Sequence, residues 1–151
     1  MRNDEFVIQA QEILGPTLSG RGFTLEEIDD AVDEGGRYGA ALYYLSSDCK
    51  LQIYWSAREW EVNVMVAPLG SPNQHGLYDR SRRWHYLPEF SPRPNLSLEE
   101  LVKKRREEGV KFLDDIGQLR QLVGHIDRYF EKAHTEILKQ YGQEPLDFGE
   151  Q

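Results

Sequence analysis

Cysteine is almost missing from this chain: Cys49 is the single one in 151 residues. No intrachain disulfide can therefore staple the fold, which fits a reducing compartment. Long apolar runs are missing as well, since no stretch approaches the roughly 18 consecutive apolar residues needed to cross a bilayer. The opening Met-Arg-Asn-Asp-Glu-Phe has neither the cationic nor the apolar region of a signal peptide. The expectation is a cytoplasmic protein with no membrane partner.

Familiar catalytic patterns are missing too. The four histidines, His75, His85, His125 and His134, show none of the close helical pairings that hold zinc, so no metal is expected. Gly35-Gly36-Arg37-Tyr38-Gly39 lacks the Lys and the Ser or Thr of a phosphate-binding loop, so no nucleotide cofactor is expected either. No serine stands in a Gly-x-Ser-x-Gly elbow. Cys49 follows Asp48, an acidic neighbour that disfavours a thiolate, so it reads as a small hairpin residue rather than a nucleophile. The balance leans against an enzyme.

What the chain does contain is enough apolar material for a core: 39% hydrophobic residues, with 3 Trp, 8 Tyr and 6 Phe. That composition excludes generic disorder and coiled-coil monotony. Residues 1–142 read as one domain and 143–151 as a loose tail beyond Gly142. The net charge of −8 is unevenly spread, with 5 basic and 12 acidic residues in 1–70 against 13 and 14 in 71–151. Glu26, Glu27, Asp29, Asp30, Asp33 and Glu34 crowd into residues 26–34. Such a surface repels phosphate backbones and attracts cationic partners, so nucleic acid is not expected.

Periodicity supplies the elements. Phe6, Ala10, Ile13, Leu14 and Leu18 make an apolar stripe on a first helix, with a kink or early stop predicted at Gly15-Pro16 and an end at Gly20 or Gly22. From Phe23 to Ala67 the period becomes two. A loop at Ser56, Ala57, Arg58 and Glu59 pairs Trp55 with Trp60, Ile53 with Val62 and Leu51 with Val64 on a dry face, and leaves the opposite face half wet. A turn at Ser47 and Asp48 pairs Tyr44 with Leu51, Leu42 with Ile53 and Ala40 with Trp55. Residues 23–32 read as an outer strand, and a bulge or longer loop would set Ile28 opposite Leu42.

Prolines 68, 72, 88, 92 and 94 mark a long loop over residues 68–96, within which Trp84-His85-Tyr86-Leu87 packs or forms a short strand. Ser97 with Glu100 is a capping box that opens one helix, ending near Gly109. Asp115 with Gln118 caps a last helix carrying Leu119, Leu122, Val123, Ile126, Phe130, Ala133, Ile137 and Tyr141. The predicted fold is α+β: a four-stranded antiparallel meander with an N-terminal helix and two C-terminal helices packed on one face.

Two surfaces stand out as sites. Glu26, Glu27, Asp29, Asp30 and Asp33, with Tyr54 as an aromatic anchor, read as a clamp for a basic protein. Alternatively Arg80, Arg83, His85 and Tyr86 would hold a small anionic ligand or an enzymatic site between the sheet and the loop. Leu51-Gln52-Ile53-Tyr54-Trp55-Ser56 through Glu61-Val62-Asn63-Val64, together with the order of elements, resembles small uncharacterised bacterial α+β proteins, some of them grouped with immunity proteins of polymorphic toxin systems. That resemblance implies a protein-binding role and brings no catalytic residue with it.

Overall fold

Phe6, Ala10, Leu14 and Leu18 recur every four residues and are all fully buried, which makes Asn3–Gly20 the amphipathic helix α1. The structure, a computed structural model, describes residues 3–33, 36–57, 61–75, 80–90, 97–100, 103 and 115–142. Helix α1 continues past Pro16 instead of stopping there. Pro16 is exposed, so water can serve the carbonyl that the missing amide leaves open. The helix ends at Gly20 and is followed by a turn at Gly22, whose φ of 86° lets Phe23 N donate to Leu18 O at 2.9 Å, while Gly22 N donates to Ser19 O at 3.0 Å. Glycine adopts that left-handed turn without a Cβ clash.

The period-two stretch forms β1 (Thr24–Asp33), β2 (Tyr38–Leu45), β3 (Cys49–Ser56) and β4 (Glu61–Pro68), and a fifth strand, β5 (His85–Tyr86), joins them in the order β1-β2-β3-β4-β5. All neighbours are antiparallel. The β2–β3 register is the predicted one, with Ala40 opposite Trp55, Leu42 opposite Ile53 and Tyr44 opposite Leu51. Strand β1 is the outer strand, Ile28 faces Leu42, and irregularities fall between Leu25 and Glu27 and between Asp29 and Val32.

The β3–β4 pairing departs from expectation by two residues: Trp55 faces Val62, Ile53 faces Val64 and Leu51 faces Val66. Ser56 pairs with Glu61 instead of belonging to the loop, and Trp60, the expected partner of Trp55, lies outside the described residues. A slip of two keeps every side chain on its predicted face.

The last helix, α2 (Asp115–Tyr141), buries Leu119, Leu122, Ile126, Phe130, Ala133 and Ile137. Gln118, expected in the cap of α2, accepts from Val62 N at 2.8 Å and serves the β4 edge. Of the other predicted C-terminal helix, residues 98–100 and 103 are helical and Glu100 N donates to Ser97 Oγ at 3.2 Å. Its remaining positions lie outside the described residues, as do Glu34 and the 143–151 tail. No helix among the described residues is long and apolar enough to cross a membrane.

Both helices close over one sheet face. Phe6 of α1 packs on Trp55 with ring centroids 5.9 Å apart, Phe23 meets Phe130 edge-on at 5.5 Å, and Arg21 reaches Asp127 at 2.6 Å. Leu87, in a 3₁₀ turn at Leu87–Phe90, belongs to the same core.

The opposite face, expected half wet, is covered. Every residue of β3 is buried, and Val32, Ala41, Tyr43, Tyr54, Met65, Ala67 and Trp84 form a second core. The cover is the Pro-rich segment, held by polar side chains of β3. Lys50, only 3% exposed, donates from Nζ to Ser71 O at 3.1 Å and Asn73 Oδ1 at 2.9 Å, and pairs with Glu26 Oε1 at 3.1 Å. Gln52 Nε2 donates to Gln74 O at 2.7 Å, and Trp84 Nε1 to Pro72 O at 2.8 Å. A buried ammonium is tolerated because its three protons meet three acceptors.

Candidate functional site

With both faces covered, the sheet has two edges, and they are finished differently. The β4 edge is partly closed by β5, which pairs with Met65 and Val66, and by Gln118. No strand pairs beyond β1 among the described residues. Strand β1 is exposed along nearly its whole length, with Val32 its one buried residue.

The expected acidic clamp sits on this open edge, but its members differ. The irregularity after Leu25 brings Glu26 and Glu27 together on the side of the Pro-rich segment, where Asn73 Nδ2 donates to both at 2.9 Å. Glu26, tied also to Lys50, holds the cover in place. Asp29 Oδ1 accepts from Ala31 N at 3.1 Å and Asp33 Oδ1 from Gly36 N at 2.8 Å, which fixes the second irregularity and the turn. Asp30 is exposed in that irregularity. Tyr54 is not part of this edge: it lies on β3, is 4% exposed, and stacks near His75 at 5.7 Å between ring centroids.

Sequence reasoning missed the apolar members of the same edge. Leu25 and Ile28, on the face of Tyr44 and Leu42, remain 37% and 41% exposed, and Tyr38, opposite Asp33, is 55% exposed. Their alternation with acids was visible, but an outer strand wide of its covering helices was needed to reveal them as surface.

Of the alternative cluster, Arg83 and His85 meet on Tyr141, while Arg80 and Tyr86 have other neighbours. Arg80 is exposed and its backbone N donates to Gln74 Oε1 at 2.8 Å. Arg83 Nε donates to Ser71 Oγ at 3.0 Å while its guanidinium lies 5.3 Å over the Tyr141 ring. His85 hydrogen-bonds with Glu89 Oε2 at 2.7 Å and with Tyr141 Oη at 2.8 Å. Tyr86 pairs with Met65 and His85 with Val66, so the two point to opposite faces. Burial first, and the nearby Glu61 charge second, push the Tyr86 hydroxyl up from its ordinary range. A carboxylate beside His85 and another beside Tyr86 oppose an anion there.

A third group comes together that spacing alone could not show. Asp48 and Cys49, at the β2–β3 turn, meet His134 of α2, with His134 Nε2 2.9 Å from Asp48 Oδ2. Ser46 Oγ shapes the turn, accepting from Cys49 N at 3.3 Å and lying 3.5 Å from Cys49 Sγ. Burial pushes the Cys49 thiol up to about 12; the Asp48 charge adds to this and the Ser46 hydrogen bond opposes it. A thiol so held is no nucleophile at neutral pH. No protein-family model, curated protein or solved structure matches this chain.

Proposed function

We propose that the chain is a non-enzymatic protein-binding module, immunity-like in kind, which takes a basic protein along β1. The observation that carries this reading is the make-up of the open edge. Charge alone suffices to keep an outer strand soluble. Exposed Leu25 and Ile28 on β1, and Tyr38 opposite Asp33 on β2, stand beside Glu27, Asp29, Asp30 and Asp33 and add what solubility does not need, namely apolar anchors next to an acidic field. Anchors supply affinity and charge supplies the encounter rate.

The test compares the native chain with a Glu27→Gln, Asp29→Asn, Asp30→Asn, Asp33→Asn variant. These amides keep the acceptor oxygens used by Asn73, Ala31 and Gly36 and remove only charge. Partners captured from the source lysate are identified, and their association rate and hydrogen-exchange footprint are measured. The expected result is a basic protein that slows exchange along Thr24–Asp33, with an association rate about 10-fold or more lower for the variant and a steep salt dependence for the native chain. A partner bound equally by both proteins, or a footprint confined to residues 80–86, would overturn the reading.

A further inference from the structure

We propose that Asp48, Cys49 and His134 form a binding site for a zinc-class divalent cation where the β2–β3 turn meets α2. One ligand atom from each residue, a thiol sulfur, an imidazole nitrogen and a carboxylate oxygen, lies within 4.8 Å of the other two. The two chain segments are 86 residues apart, and the packing of α2 over the sheet is what joins them.

The spans suit a tetrahedral ion. Bond lengths of about 2.0–2.3 Å to nitrogen, oxygen and sulfur place the ligand atoms roughly 3.4–3.6 Å from one another. The His134 to Asp48 contact of 2.9 Å would open by about half an ångström, and the wider spans, none above 4.8 Å, would close. Both are made by the side chains of half-buried Asp48 and His134, which move relative to each other and toward the fully buried Cys49 Sγ. The donor types select the cation: thiolate with imidazole suits zinc and its surrogates, whereas magnesium and calcium require oxygen ligands. Three protein ligands leave a fourth position for water or for Ser46 Oγ, which lies 3.2 Å from Asp48 Oδ1.

A plain tether between turn and helix would need only the carboxylate and the imidazole. Ser46 already satisfies the turn's backbone, accepting from Asp48 N at 3.4 Å as well as from Cys49 N. Cys49 Sγ, buried and 3.5 Å from Ser46 Oγ, is a donor that the Asp48–His134 tether does not need. On binding, the thiol S–H bond breaks, its proton leaves to solvent, and a sulfur–metal bond forms with no change of oxidation state.

Cobalt(II) titration of the reduced full chain tests the site. The expected result is one equivalent bound, with a thiolate-to-cobalt charge-transfer band in the near ultraviolet, visible bands of tetrahedral intensity, and displacement of both by zinc. His134→Gln and Cys49→Ser should each abolish the charge-transfer band, while His125→Gln, elsewhere on α2, should retain it. His134 is half-buried, so His134→Gln decides the matter should Cys49→Ser fail to fold. Absence of the band in the native chain, or its persistence in folded His134→Gln, would overturn the proposal. Neither result touches the acidic edge of β1, so the binding reading stands or falls separately.

Discussion

Lys50→Ala is expected to lower the free energy of unfolding by about 3 kcal/mol, the low end of the cost of breaking a buried ion pair. The low end applies because Glu26, whose side chain is 26% exposed, can rehydrate once the ammonium is gone, whereas the acceptors at Ser71 and Asn73 lose a charged donor. Urea unfolding followed by circular dichroism measures the loss, and amide exchange at residues 71–75 should rise with it because Lys50 is one of the ties that hold this segment down. Pairing Lys50→Met with Glu26→Gln should recover much of the stability, since an apolar replacement leaves no charge in search of a partner. A Lys50→Ala loss under about 1 kcal/mol, the worth of an exposed pair, would mean that the Pro-rich segment does not seal this face.

Trp55→Ala is expected to cost more, about 3–5 kcal/mol. Trp55 is buried between the sheet and α1, packed on Phe6 and facing Ala40 on β2 and Val62 on β4. Truncation leaves a cavity lined by three elements that cannot collapse together, because the register of β3 holds the backbone in place. Against a typical stability of about 5–15 kcal/mol that loss is a large fraction, and it should appear as a lower urea midpoint with an unchanged slope. A neutral outcome would place the indole outside the core.

These two residues also show what the amino-acid pattern reveals. Trp55, Ile53 and Leu51 alternate with polar neighbours, and alternation fixes the face of each side chain, so the helix-covered side and the β2–β3 register were legible. Position along the strand was less so: a shift of two leaves the alternation intact, and Trp60 made an attractive but incorrect partner for Trp55. Lys50 and Gln52 were misread as wet because pattern cannot separate a lysine in water from one whose protons are accepted by a loop and an outer strand more than 20 residues away on either side. The early stop offered for Pro16 did not occur, because an exposed proline leaves its unpaired carbonyl to water and the helix can continue.

The acidic residues of β1 were legible as a cluster, but their division of labour was not. Glu26 holds the cover, Asp29 and Asp33 brace backbone, and only the fold distinguishes these tasks from an open surface. Tyr54 was legible as aromatic and not as buried, since the second core that includes it, and the nearby His75 ring, form only in the fold. The meeting of Asp48 and Cys49 with His134 has no local signature at all, because it depends on α2 crossing the β2–β3 turn.

The central structural claim is that the sheet is sealed on both faces, which leaves β1 as its open side. Reductive methylation of the native chain followed by peptide mapping tests it directly. Lys132 and Lys139 are exposed and should be modified quickly, while Lys50 should stay unmodified until the chain is unfolded. Modification of Lys50 at the rate of Lys132 in the folded protein would contradict the claim.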